Sequence, residues 1–262
     1  MTNILEQKKQ RIGEIKYNNQ GCLMKIVEYI NSQNIVVEFQ DEYKAKICSS
    51  YYWFQTGNIK NPYFPSVYGV GILGEKYPSK EGNKNTKEYV TWQSMLQRCF
   101  NGRKKEKYPN YKEATCCNEW LLYENFYEWL HSQENFQKWL NGDKWAIDKD
   151  ILVKGNKIYS PETCCLVPQN VNVLFAKADK IRGEYPIGVY YNHKNRTFIS
   201  QCKLNEKTIY LGSFSIMEDA FRTYKKYKES IIKQVAQIEY DNDNISKQCY
   251  EAMMKYIVEI SD

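Results

Sequence analysis

Between positions 11 and 54 the apolar residues fall in short β-prone runs, at 12–17, 22–30, 35–39 and 45–48. Asn18-Asn19-Gln20-Gly21 and Asn31-Ser32-Gln33-Asn34 separate them and supply the left-handed conformations that tight hairpins need. The pattern predicts a small antiparallel β-barrel, or a curled sheet, as an N-terminal domain over 1–66. From 57 to 79, Pro62, Pro65, Pro78 and four glycines interrupt both regular periods, which predicts an ordered linker.

The period then changes. Tyr89, Trp92, Met95, Leu96 and Cys99 recur at intervals of three and four, the spacing of one helical face. A basic loop follows at 103–107. Glu124-Asn125-Phe126 with Trp129-Leu130 is echoed ten residues later by Glu134-Asn135-Phe136 with Trp139-Leu140. Ten residues at 100° each do not return to the same face, so the copies present different aromatic anchors to a core. Between 145 and 167 lie two β-like runs around Lys154-Gly155-Asn156-Lys157; Pro168 ends the second, and 170–180 is compatible with a helix. Further β-runs at 187–191, 198–204 and 208–211 precede a helix whose apolar face is Ala220, Phe221, Tyr224, Tyr227, Ile231 and Val235. Ser215 and Glu218 have the spacing of a capping box at its start. The segment 245–260 reads as helical first and strand-like at its end.

Composition excludes a disordered or acidic low-complexity chain, since 42% of the 262 residues are hydrophobic and 15% aromatic. The first residues form no signal peptide, no apolar run reaches membrane-span length, and nine cysteines without a disulfide-like arrangement fit a reducing compartment. The expected location is therefore cytoplasmic. The net charge of +6 is concentrated: twelve Lys or Arg and six Asp or Glu lie between 177 and 233, leaving 25 of each sign elsewhere. A local basic excess is the electrostatic footprint of a nucleic-acid partner.

Several motifs carry no chemistry. Gly69, Gly71 and Gly74 match the dinucleotide-binding fingerprint by letters, but Pro62, Pro65 and Pro78 flank them and no helix N-terminus follows to receive a pyrophosphate. None of the cysteines shows the Cys-x-x-Cys spacing of a zinc site, so they read as small buried residues. Asp241-Asn242-Asp243-Asn244 lacks the later ligands of a calcium loop. His131 and His193, the only histidines, read as structural or surface groups, His193 with a phosphate contact as its functional option.

Tyr185 to Tyr191, Phe198 to Cys202, Tyr210-Leu211-Gly212-Ser213-Phe214, and Glu218-Asp219-Ala220-Phe221 with Tyr224 together resemble the AP2 DNA-binding domain. The resemblance implies a three-stranded sheet backed by one helix, over 181–262 with a C-terminal extension, and a sheet that enters the major groove of double-stranded DNA. It names Tyr191, Lys194, Arg196, Gln201, Lys203 and Tyr210 as DNA contacts: the cations for phosphates or guanine edges, Gln201 for adenine. Arg222, Lys225 and Lys226 on the helix read as a solvated face.

Upstream, Ile147-Asp148-Lys149-Asp150-Ile151-Leu152, Gly155-Asn156, Tyr159 to Cys164 and Asn170 to Asn172 resemble a diverged HNH endonuclease module of the kind phages join to an AP2 domain. The resemblance makes 67–180 a helical and degenerate ββα-metal-like module, and the whole chain an α+β protein. An HNH nuclease needs a histidine to deprotonate the attacking water beside a divalent cation. Here Asp148, Lys149 and Asp150 stand where it would be. Asp148, Asp150 and Asn172 are the candidate catalytic residues, and Asp148 and Asp150 the candidate metal ligands, with Mg²⁺ as the cofactor if the protein cuts. The leading expectation is a phage or mobile-element DNA-binding protein with a degenerate nuclease centre. The alternatives are an active metal-dependent nicking endonuclease and an anti-defence factor that reuses the scaffold to bind a host protein.

Overall fold

The computed structural model describes residues 6, 10–108, 111–175, 184–204 and 207–260. The chain is a mixed α and β protein that divides into two compact units, Met1–Glu128 and Trp129–Asp262.

The first unit opens with an antiparallel meander of β1 (Ile15–Tyr17), β2 (Leu23–Asn31), β3 (Asn34–Phe39) and β4 (Lys46–Ser49), in that spatial order. Alternation places Ile35, Val37 and Phe39 of β3 in the core. On β2, Met24 and Ile26 point inward, and an irregularity between Ile26 and Glu28 resets the face so that Tyr29 is buried too. The first hairpin is held by the Asn18 side chain, whose Oδ1 accepts from the amides of Gln20 (3.0 Å) and Cys22 (2.8 Å). The expected closed barrel does not form, because β1 and β4 remain edges. In place of closure, Ser50 accepts a hydrogen bond from the Trp53 amide and starts α1 (Tyr51–Thr56), whose buried Phe54 joins the core of the sheet.

The 57–79 segment is ordered without long elements, as expected. Within it, Val67 and Gly71 exchange backbone hydrogen bonds across a tight turn. A Cβ on Gly71 would come within 2.5 Å of Leu96, and one on Gly74 within 2.1 Å of Glu124, so these glycines serve close packing. After the short strands β5 (Lys80–Glu81) and β6 (Lys84–Asn85), Thr86 caps α2 (Lys87–Phe100), which buries Trp92, Met95, Leu96 and Cys99. α3 (Gly102–Lys107), β7 (Thr115–Cys116), a 3₁₀ turn at Glu119–Leu121 and α4 (Tyr123–His131) follow.

In the second unit, α5 (Phe136–Asn141) precedes β8 (Trp145–Asp148); β9 (Ile158–Tyr159), β10 (Cys165–Pro168) and α6 (Gln169–Asn172) come next. β8 and β10 pair antiparallel. The expected 170–180 helix is seen at Gln169–Asn172, and its remainder beyond 175 lies outside the described residues. A second sheet contains β11 (Val189–Asn192), β12 (Thr197–Leu204) and β13 (Lys207–Phe214), antiparallel in sequence order. α7 (Met217–Asp241) packs on it. The expected capping box is absent: the helix starts at Met217, so Ile216 takes the cap position and Ser215 stands one residue too early. α7 extends well past the sheet and turns at 242–246 into α8 (Lys247–Met254); among the described residues no strand follows. One core joins Ile151, Cys165, Val167, Val171 and Leu174 to Ile232, Ala236, Cys249 and Met253, so residues on both sides of position 180 share it. Among the described residues no helix is long and apolar enough to cross a membrane.

Candidate functional site

The two aspartates meet through a turn. β8 ends at Asp148, opposite Cys165. Asp148 Oδ1 accepts from the amides of Asp150 and Ile151, each at 2.8 Å, and the chain folds over it. Asp150 therefore lies beyond the strand, and the two carboxyl groups approach through this Asx-type turn rather than by the two-residue alternation of a strand. Asp148 is buried, and burial first, with the charge of Asp150 second, pushes its carboxyl up to about 6 against the two amides that favour the anion. Lys149 is buried as well; its ammonium reaches Asp150 Oδ2 at 3.2 Å and the carbonyl of Asn156 at 3.0 Å. Asn156 returns its amide to the carbonyls of Lys149 (2.6 Å) and Ile158 (2.7 Å), and Gly155 makes this turn at φ 79°. Asp148 Oδ1, the Lys149 ammonium and Asp150 Oδ2 thus all have partners inside this loop.

Asn172 is placed differently. Pro168 pairs with Trp145, so α6 begins at the end of β8 away from Asp148, about 10 Å along the strand. No hydrogen bond among the described residues joins Asn172 to either aspartate. A magnesium ion takes about six oxygens in a near-octahedral shell. The Asp-Lys-Asp loop offers two carboxyl groups, Asp148 accepting from two amides and Asp150 from Lys149, so a magnesium ion held there would take most of its shell from water. Among the described residues, no group of three or more His, Cys, Asp or Glu side chains comes together as a metal site. His131 lies on Phe136, with ring centroids 3.9 Å apart, and His193 stands edge-on to Tyr191. The cysteine cluster is apolar in character: burial pushes the Cys164 thiol up to about 12, and Cys165 Sγ lies 3.8 Å from Cys249 Sγ inside the core.

The β11–β13 sheet has one face under α7 and one free of it. Cys202 packs with Tyr224, Leu211 and Phe221 on the covered side, and alternation puts Phe198 and Ser200 on that side too. Ile199, Gln201 and Lys203 then point away from the helix, Ile199 being buried, Gln201 half-buried and Lys203 exposed. Cross-strand pairing extends this open face to Tyr210, opposite Gln201, to Thr208, opposite Lys203, and to Tyr190 and Ser213, opposite Ile199. A register shift between Ser200 and Gln201 leaves Leu211 as the extra residue of β13 and turns it toward the helix. Tyr210 is 64% and Tyr190 44% exposed. Lys194 and Arg196 project from the exposed 193–196 turn at one end of the sheet. Asn192 Oδ1 shapes that turn by accepting from the amides of Lys194 (3.0 Å) and Asn195 (3.2 Å), and Arg196 takes a left-handed φ of 55°.

Of the six residues expected on a DNA-facing surface, the fold thus gathers Gln201, Lys203 and Tyr210 on the open face and Lys194 and Arg196 at its end. Tyr191 belongs to the other side. It pairs with Phe198 and packs against Phe198 and Tyr185, with ring centroids 5.0 and 6.3 Å away. The open-face tyrosine is Tyr190. The signal was present in the sequence: once 192 and 197 flank the hairpin turn, counting back from Gln201 assigns 190, not 191, to its face. Comparison with known families, characterised proteins and solved structures gives no match.

Proposed function

We propose that this chain is a double-stranded DNA-binding protein of phage or mobile-element origin, acting in the host cytoplasm, which lays the open face of its AP2-like sheet on the duplex and keeps an HNH-like hairpin as a scaffold. The observation that carries the reading is the sidedness of the β11–β13 sheet. One face is sealed by α7; the other presents Tyr190, Gln201, Lys203, Thr208 and Tyr210, with Lys194 and Arg196 at its rim. Among the described residues, no hydrogen bond or ion pair engages the side chains of Lys194, Arg196, Gln201, Lys203 or Tyr210, so these groups stay available to a ligand. Dimensions agree. Three strands at about 4.8 Å spacing span about 10 Å, which fits a major groove about 12 Å wide. The basic excess between 177 and 233 falls on the same part of the chain.

In this reading Arg196 and Lys194 contact phosphates, Lys203 a phosphate or guanine edge, and Gln201 an adenine edge. The triple variant Arg196→Gln, Gln201→Ala, Lys203→Gln tests it. DNA affinity should fall at least about tenfold, and the slope of log K against log salt should flatten by about 2. Unchanged affinity and slope would sink the sheet-contact model. The retained-scaffold part is tested by supercoiled plasmid with Mg²⁺ or Mn²⁺. No nicking is expected, and nicking that disappears with Asp148→Ala would overturn it.

A further inference from the structure

The first unit carries a second basic surface that the sheet does not use. Between 98 and 112 there are six Lys or Arg and one acidic residue, Glu106, interleaved with Tyr108 and Tyr111. The fold displays them. Asn101 ends α2 and caps α3 at once, its Oδ1 accepting from the Lys104 amide at 3.0 Å, so the chain restarts as a short helix bearing Arg103, Lys104, Lys105 and Lys107. Lys105 reaches the carbonyl of Ala114 at 3.1 Å and fastens this helix to the turn beyond it.

Three of the other cations, Arg98, Lys104 and Lys107, are held against aromatic rings. Lys104 Nζ lies 4.9 Å and Lys107 Nζ 5.4 Å from the centroid of the exposed Tyr108 ring, and the Arg98 guanidinium 5.6 Å from that of Tyr111. A polyanion bound along this row of cations gains the release of its own counterions. The rings also fix the lysine stems in advance, so less rotamer freedom is lost on binding.

We infer that α3 with Arg98, Tyr108 and Lys112 beside it is a second nucleic-acid contact that binds the phosphate backbone without reading sequence. The choice of DNA as the polyanion rests on the proposed function; the surface itself lies in the other unit. Cations that stack on tyrosines but face no base edge predict affinity without specificity.

The test uses the full chain and a random-sequence duplex of about 30 base pairs, with binding followed by anisotropy across a salt series. Three proteins are compared: wild type, Arg103→Gln/Lys104→Gln/Lys107→Gln, and Arg196→Gln/Lys203→Gln. Loss of the α3 cations should flatten the salt slope by about 2 to 3 and weaken binding about tenfold or more at low salt, with the melting temperature unchanged. If the α3 variant binds like wild type while the sheet variant weakens, the inference is overturned and the proposed function stands. If only the α3 variant weakens, the sheet reading falls and the inference stands. If neither weakens, both fall. Should the α3 triple variant melt early, Lys107→Gln alone, at an exposed position, must flatten the slope by about 1, and an unchanged slope overturns the inference. Polyglutamate of matched charge serves as competitor: displacement of the duplex as effective as by unlabelled DNA would make the surface one for acidic proteins and overturn the nucleic-acid assignment.

Discussion

The Asp148 loop and the open face of the β11–β13 sheet hold similar inventories of charged and polar groups, yet they are built in opposite ways. In the loop, Asp148 and Lys149 are buried, and each polar group is spent on a neighbour: two amides on Asp148, Asp150 and a carbonyl on Lys149, two carbonyls on Asn156. On the sheet, Gln201, Lys203 and Tyr210 are set out on a rigid support, and among the described residues none is tied down. Asp148 and Lys149 are thus held among their neighbours, while the Asp150 side chain keeps 39% of its surface exposed.

The largest expected effect concerns the backing of the sheet. Gly188 has a φ of 77°, and a Cβ there would lie 2.0 Å from the Tyr224 ring. Gly188→Ala meets both backbone strain and a clash with a buried aromatic, and should cost more than about 3 kcal/mol of stability. Calorimetry should show a large drop in melting temperature. A near-normal melt would mean that α7 can shift off the sheet, and the rigid-support half of the contrast would fail.

The Asp148 loop makes the next prediction. Its carboxyl is raised to about 6 in the folded chain from an ordinary value near 3.8. Between those two values the folded protein holds a proton that the unfolded chain has lost, so stability declines as pH rises through the window and the full cost is present above it. Asp148→Asn keeps an oxygen to accept from the Asp150 and Ile151 amides and removes the charge. It should stabilise the protein by on the order of 2 kcal/mol at about pH 7.5, and by nothing near pH 3.5. Urea melts at both values measure this. Destabilisation at the higher pH would show that the loop is organised around a carboxylate anion, and would return it to the list of reactive sites.

Local pattern made the elements legible where one periodicity ran unbroken. The α2 face from Trp92 to Cys99 and the alternation of Ile35, Val37 and Phe39 are both found as expected. Where an element was short or its meaning depended on distant packing, pattern misled. The six residues of α1 are too few to repeat an apolar face, so nothing in them announced that Phe54 would join the core of the sheet. Ser215 and Glu218 have capping-box letters, but the helix begins one residue later. Asp148 and Asp150 look like strand neighbours, and only the two amides on Asp148 Oδ1 reveal a turn. The union of the β8–β10 hairpin with the far half of α7 links residues about eighty positions apart, which no local pattern can register.

Tyr190 and Tyr191 give the smallest and most discriminating test, because adjacent residues of one strand are asked to behave oppositely. Tyr190 stands on the open face with 44% of its surface exposed. Tyr191 pairs with Phe198 on the α7 side and completes a cluster with Tyr185. Tyr191→Ala removes aromatic contacts worth about 1 kcal/mol beyond the area they bury, so it should lower the melting temperature while DNA affinity per folded molecule holds. Tyr190→Ala should leave the melt within about 0.5 kcal/mol of wild type and weaken DNA binding several-fold. Measuring both variants by thermal melt and by anisotropy separates the two roles. If Tyr191→Ala were the variant that lost DNA and kept its stability, the face assignment would be inverted. The duplex would then have to approach from the side that α7 covers, and the sidedness argument would fail with it.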